Sequence, residues 1–456
     1  MTVGENKMTN QSIVSLIKTG TDSYENREAI RHSVIDALDR INAHELLHPG
    51  QMVLIKPNLV SDRNYNKQGG TYCLYTQPEV IEPVVEYVCC ALKGCGTIVI
   101  GDAPVQECDF EKIRGIYEIA EKYKERITEI KVLDFRELIS VVDGGVHKAT
   151  INKEAKGKIV NLGKDSAFFG EDDNTLKKLR ITNYDPRILL RHHKGDVQEY
   201  YISEYALDAD VIINMPKPKA HRKAGMTGAL KNFIGVNIRK EFLPHHTLGS
   251  VESGGDEYKK KNIFHDVQSN LLDKKNICEA EGDFLFARLL RYPIRALSAA
   301  IKLMGPSYAE GSWYGNDTIS RTILDVNRAV LYANKDGVIC NTPQRSIIIL
   351  ADMIVSGEGE GPLMPSPKAV GMILAGTNPV CFDEVVSTLM GFDYRKIPSI
   401  TRARDAKGRL ALKKDEMAVI SSNSTQYDGK TIETMRNLDL LYFEPSNGWK
   451  GHIEKT

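Results

Sequence analysis

Short apolar runs alternate with helically spaced ones along this chain. Residues 51–55 (QMVLI) stop at Lys56-Pro57-Asn58, the pattern of a buried strand running into a loop. Residues 77–93 place Val80, Val84, Tyr87, Val88 and Leu92 at helical spacing and close on Gly94 and Gly96. Residues 97–100 (TIVI) predict the next strand, ending at Gly101-Asp102-Ala103-Pro104. A strand–helix–strand unit of this kind pairs its strands in parallel through a right-handed crossover. Residues 210–214 (DVIIN), 346–350 (SIIIL) and 371–375 (GMILA) predict further strands, and Pro379 opens a helix with Asn378 as its N-cap. The expected fold is therefore α/β, with a mostly parallel, doubly wound sheet and two polar insertions.

The insertions follow from where the pattern breaks. Residues 1–50 read as an N-terminal extension and lead-in helix, and 51–134 as the first α/β half. Residues 135–200 are polar and irregular, with DGGVHKATINKEAKGK resembling a β-hairpin-rich insertion. Core sequence returns over 201–256, a helical insertion follows over 257–320, and the C-terminal α/β half and tail occupy 321–456. Within the second insertion, residues 284–304 set Arg288, Arg291, Arg295, Ser298 and Lys302 on one helical stripe, with apolar residues over most of the rest and a kink expected at Pro293. The plainer reading is a surface helix docked on the core. The sharper one is peripheral contact with an anionic membrane.

Bulk composition narrows the class. With 456 residues the chain is long enough for two or three lobes. Sixty Lys plus Arg balance sixty Asp plus Glu, and aromatic residues are sparse among the basic ones, so nucleic acid is not an expected partner. The N-terminus lacks the apolar run of a secretory signal, and no apolar run reaches the roughly 18 residues of a membrane span. A cytoplasmic location with reduced thiols is expected. The eight cysteines form no Cys-x-x-Cys pair, so no iron–sulfur cluster is expected either.

Chemistry concentrates in the loop after 210–214. Six cationic or imidazole side chains (Lys217, Lys219, His221, Arg222, Lys223 and Lys231) are interleaved with Ala220, Ala224, Gly225, Gly228 and Ala229. Pro216 and Pro218 favour extended backbone, which would project Lys217 and Lys219 to one side. The glycines would let amides approach a ligand, and the helix that follows would add positive potential at its start. This suits a phosphate or carboxylate, although it is not a Walker loop. The bland reading is a solvated basic loop.

Three further constellations carry polar groups. Pro244-His245-His246 with Gly254-Gly255-Asp256 and His265-Asp266 offers imidazole and carboxylate ligands, or acid–base groups. SWYGNDTISRTILDVNRAV spaces Asn316, Asp317, Arg321, Asp325 and Arg328 as a helix-surface ion network. SGEGEGP sets Glu358 and Glu360 among glycines, a metal loop or a flexible acidic turn, which Asp383 on the next helix could join.

The segments VLIKPNLV, IVIGDAP, VIINMPKPKAH…TGALKNFIGVN, DMIVSGEGEGP and LAGTNPVCFDEV closely resemble the domain of unknown function 362 family, across about residues 50–395. Many members of that family carry a ferredoxin-like cysteine run, which this chain lacks. SWYGNDTISRTILDVN looks like the corresponding segment of members tied to surface-polysaccharide gene clusters. In layout alone, the chain also resembles the N-terminal domain of the nickel-dependent lactate racemase family.

Together these observations lead to an expected metal-assisted enzyme acting on an anionic small molecule, phosphorylated or carboxylated. Lys56, Asn58, Lys217, Lys219, Lys231, Asn232 and Arg321 would bind the substrate. His221, His245 or His246 would transfer a proton, and Asp102, Asp256, Glu358, Glu360 and Asp383 would hold a divalent metal. The alternative is a non-catalytic binding protein, a cofactor carrier or a membrane-surface assembly protein.

Overall fold

The computed structural model describes residues 11–304, 308–412 and 416–455. Its main sheet contains β1 (Gln11–Lys18), β2 (Met52–Pro57), β3 (Thr97–Asp102), β4 (Glu129–Asp134), β5 (Val211–Met215), β6 (Ser346–Glu360), β7 (Met364–Gly376) and β8 (Met417–Ser422). They lie in the order β8-β1-β7-β6-β5-β2-β3-β4. Two short strands, Lys219–His221 and Gly225–Thr227, attach beside β6 and bring the sheet to ten strands.

Along that eight-strand order neighbours are parallel except where β7 takes part, since β7 runs against both β6 and β1, and the two short strands pair antiparallel with each other. The cause is the short connection: only residues 361–363 join β6 to β7, too few for the crossover a parallel pair needs. Gln11–Lys18, expected only to lead in to the core, is itself a sheet strand between β7 and β8. SGEGEGP is also more ordered than expected. Glu358 and Glu360 lie on the far end of β6, in register with Ser366 and Met364 of β7.

The helices used below are α1 (Arg27–Arg40), α2 (Pro78–Ala91), α3 (Gly115–Tyr123), α4 (Ala229–Asn232), α5 (Ile263–Glu281), α6 (Phe284–Leu303), α7 (Thr318–Tyr332) and α8 (Pro379–Leu389). Strand residues alternate between two cores. Val53, Ile55, Val211, Ile213, Ile348 and Leu350 join apolar residues of α1, α2 and α3. Leu54, Val99, Ile212 and Ile349 join those of α7 and α8 on the opposite face. Because both faces are covered, these strands read as continuous apolar runs rather than as alternating ones. Each fully buried aliphatic side chain contributes about 1.5–3 kcal/mol. Asn378 caps α8 as its sequence predicts, accepting from the backbone N–H of Val380 and Cys381.

Within 135–200 the chain forms the hairpin Leu138–Asp143/Val146–Ile151 and the antiparallel pair Gly157–Asn161/Val197–Ser203. Within 257–320, α5 and α6 pack as a hairpin turned at Gly282 and Asp283, and α6 continues as one helix through Pro293. Strands β5, β2 and β3 are adjacent and parallel, so the loops after Met215, Pro57 and Asp102 converge at one edge. That is where ligands of open α/β sheets bind.

Candidate functional site

A cavity of about 510 Å³ opens at that edge. Lys56 and Asn58 follow or end β2, Asp102 ends β3, and His221, Arg222, Lys223, Lys231 and Asn232 come from the cationic loop. Lys240 and His245 enter from the segment beyond α4, and Thr182, Asn183 and Tyr184 from the β-rich insertion. Val60, Val105, Ile181, Ile234, Pro362 and Leu363 supply apolar wall.

Five bases line the cavity: Lys56, Arg222, Lys223, Lys231 and Lys240. Among the described residues only Lys56 of these has a carboxylate partner, donating to Asp102 Oδ1 at 2.7 Å. Asp102 is further held by the backbone N–H of Leu59 at 2.7 Å and of Ala103 at 2.9 Å. Gly235 makes this pair possible, because a Cβ there would lie 1.9 Å from Asp102 Oδ1 and 2.7 Å from Lys56 Nζ. Lys223 donates to Thr182 Oγ1 at 3.1 Å, and Lys240 to the carbonyls of Ile234 and Asn237. Among the described residues Lys231 and the Arg222 guanidinium make no hydrogen bond or ion pair.

Crowding of like charge shows in the titration of these groups. Burial, then repulsion from Lys56 and Lys223, lowers Lys231 to about 8. Burial likewise lowers Lys223 to about 8 and Lys240 to about 7, with Arg222 adding to the first and Lys56 and Lys231 to the second. Cations largely withdrawn from water without a carboxylate partner are costly, and a bound anion would offset that cost.

The two cavity histidines are held as opposite tautomers. His221 Nδ1 accepts from the backbone N–H of Lys223 at 3.0 Å and of Ala224 at 3.1 Å. A backbone N–H only donates, so the ring proton sits on Nε2. His245 Nδ1 lies 2.8 Å from the carbonyl of Leu243, which only accepts, so its proton sits on Nδ1 and Nε2 keeps its lone pair. Burial first, then the neighbouring cations, hold both imidazoles well below their usual pKa and therefore neutral. One ring is a donor and the other an acceptor in the same cavity.

An amide relay supports the floor. Lys219 donates to Asn58 Oδ1 at 2.9 Å, Asn58 to Asn232 Oδ1 at 2.9 Å, Asn232 to Asn214 Oδ1 at 2.7 Å, and Asn214 to the Ala229 carbonyl at 2.8 Å. Lys219 thus stands behind the cavity wall and also donates to the Leu74 carbonyl.

Several residues singled out in the sequence lie elsewhere. Lys217 points to the α1 side, where it pairs with Asp352 at 2.8 Å and donates to Tyr24 Oη at 2.5 Å. His246 faces away from His245 into a separate small cleft with Leu248, Asp273 and Asn276. Arg321 is spent on Glu171 and Asp317 on the outside of α7. The five carboxylates named as metal ligands are dispersed. Asp256 caps the start of α7 through the N–H of Asp317 and Thr318, Glu358 pairs with Lys368, and Glu360 accepts from the Asn447 N–H. Asp383 accepts from the N–H of Ala229 and Leu230, so a carboxylate of this chain already occupies the start of α4, where an anion was expected. Gly228 is what admits it, a Cβ there falling 2.2 Å from Asp383 Oδ1. Among the described residues no three His, Cys, Asp or Glu side chains are grouped to hold a metal ion. They do not fit the metal centre expected from the sequence.

Other cavity residues carry no local signal. Lys240, Glu107 and Glu310 are ordinary charged positions in sequence, and Thr182-Asn183-Tyr184 sits in an irregular insertion. Arg222 and Lys223 were legible as members of the cationic loop but were not singled out as substrate-binding residues.

A family profile described as a domain of unknown function, DUF362, matches residues 53–164 and 172–388. A curated relative, the thylakoid-associated protein sll1697 of Synechocystis sp., is 26% identical over 189 residues, 41% of this chain and 39% of that protein. The chain therefore spans about two-fifths of the length of that relative. A crystal structure of a Thermotoga maritima protein aligns over 79% of this chain and 57% of that one, with a TM-score of 0.34 and 10% identity. That likeness is too low to carry an argument.

Proposed function

This chain belongs to the DUF362 family, and from that premise and the geometry of the cavity we propose that it binds an anionic small molecule and moves a proton on it. The ligand class is a phosphorylated or carboxylated metabolite, with sugar phosphates of the kind used in polysaccharide assembly favoured within it. The observation that carries the reading is the set of four cavity bases, Arg222, Lys223, Lys231 and Lys240, without a carboxylate ion-pair partner among the described residues. Lys56 is already matched by Asp102 and serves to hold the floor.

In this reading the phosphate or carboxylate sits among Lys223, Lys231 and Lys240. The apolar wall excludes water from the rest of the molecule, which strengthens each charge interaction. His245 Nε2 takes a proton from an O–H or C–H next to the anionic group. The His221 Nε2–H donates to the oxygen on which negative charge develops, and the lysines stabilise that charge. No step is routed through a metal. The reaction is taken to run in the cytoplasm, where the free cysteines stay reduced.

Two measurements test this. Calorimetric titration with inorganic phosphate and with a panel of sugar phosphates should show binding that Lys231→Met weakens by about a hundredfold, the scale of a charge-assisted contact. Deuterium uptake from solvent into a bound ligand, followed by mass spectrometry, should then require His245 and be lost in His245→Gln. Unchanged titration in Lys231→Met would overturn the anion site. Binding without exchange in the wild-type protein would leave a carrier instead of an enzyme.

A further inference from the structure

Outside the cavity, the most unusual surface is the outer face of α6. Leu285, Tyr292 and Leu303 are 74%, 71% and 89% exposed, and Phe286, Leu289 and Met304 are also open to solvent. Ala287, Leu290 and Ile301 are the residues of α6 that bury, and Gln268 of α5 donates to Ser298 Oγ at 2.7 Å, fixing that inner side against α5. At 100° per residue, Leu285, Leu289, Tyr292, Ala296 and Leu303 share the stripe opposite the buried one. Arg288, Arg291, Arg295 and Lys302 form a stripe along its edge. The nearby hairpin adds exposed Val141 and Val142.

Charge on this surface is one-sided. From Phe284 to Leu303 there is no Asp or Glu. Arg288 pairs with Asp143 at 2.8 Å, and Arg291 packs over Gly145. Arg295 and Lys302 have no ion-pair partner among the described residues, and the acids that flank the helix in sequence are Glu281 and Asp283 before it and Glu310 after it. Helix α6 is not apolar enough to cross a bilayer.

We propose that α6 is a peripheral membrane anchor, lying in the headgroup plane of an anionic bilayer with Leu285, Leu289, Tyr292 and Leu303 inserted. This goes beyond the cavity reading and does not depend on it. An apolar face edged by bases and free of acids matches an anionic lipid surface in both of its components. A second copy of the chain matches it less well. Two-fold pairing through this face would bring two basic stripes together with no acid of α6 to offset them.

Flotation of the full-length protein with vesicles is the test. The protein should float with phosphatidylcholine vesicles containing a third phosphatidylglycerol, and should stay at the bottom with phosphatidylcholine alone or in high salt. Arg295→Glu with Lys302→Glu should cut the bound fraction by about tenfold or more. Leu285→Ser with Leu289→Ser should abolish it, while thermal melting and phosphate binding stay as in wild type, since these side chains are exposed. Absence of flotation with anionic vesicles overturns the proposal. So does a dimer in analytical ultracentrifugation that the Leu285→Ser and Leu289→Ser changes dissociate, which would assign the face to a second copy.

Discussion

Lys217 and Lys231 belong to the same cationic loop and meet opposite fates. Lys217 is closed off by a carboxylate and a phenol of its own chain, Asp352 at 2.8 Å and Tyr24 at 2.5 Å. Lys231 lines an open cavity and has no partner among the described residues. The first is part of what holds β5 to β6 and α1. The second costs stability and gains only when an anion arrives. A run of like charges therefore says little about binding until each member is traced to its partner.

Breaking the closed pair should give the largest effect. Lys217→Met leaves Asp352 buried without its cation, and a loss of about 3–5 kcal/mol is expected in denaturant unfolding. A loss below about 1 kcal/mol would mean that the pair is not the clamp described here.

The open lysines should instead reveal themselves through pH. Lys223 and Lys231 are lowered to about 8, both by burial first, then Lys223 by Arg222 and Lys231 by Lys56 and Lys223. A bound anion favours their charged forms, so affinity is greatest below about pH 7 and falls as pH rises through 8. Sulfate, whose charge is constant in this range, should bind about tenfold more weakly for each pH unit above 8 and for each lysine that must be protonated. Without ligand the sign reverses. The folded pKa is below the unfolded value, the unfolded chain holds more protons, and these lysines' contribution to stability rises with pH from about 8 to above 10. Calorimetry and melting curves at pH 7 and 9 check both directions.

A smaller effect sets the two lysines directly against each other. Lys231→Met should raise ligand-free stability by about 1 kcal/mol, because it removes a half-buried charge that no carboxylate compensates among the described residues, the usual trade between site and fold. A destabilised Lys231→Met protein would make Lys231 structural, like Lys217. Least affected should be Glu358→Gln and Glu360→Gln at the end of β6. A change within about 1 kcal/mol is expected for each, since the Glu358–Lys368 pair is partly solvated. Loss of a bound metal on elemental analysis of these variants would restore the metal loop that the sequence suggested.

The legible part of this molecule was its periodic part. Residues 51–55, 97–100 and 210–214 are short apolar runs ended by polar turns, and each became a buried strand with its polar residues at the same edge. Asn378 before Pro379 announced a capped helix and formed one. Strand β1 was hidden because it sits between two other strands yet carries polar side chains such as Gln11, Ser12 and Ser15, so its pattern resembles a surface segment. The reversal of β7 lay in a connection length, which a strand's own composition does not record.

Sequence alone determined the α/β class, the cationic loop and its place after a core strand, because hydrophobic period and turn residues are local properties. Only the tertiary structure decided which cations were free. Asp352 lies 135 positions from Lys217, as Asp383 lies 154 from Ala229. Charge neutralisation acts through space over a few ångströms, and chain separation carries no trace of it. The same holds for the histidines: adjacent residues His245 and His246 are equivalent in sequence, and the backbone carbonyl of Leu243 gives only one of them a defined tautomer in the cavity.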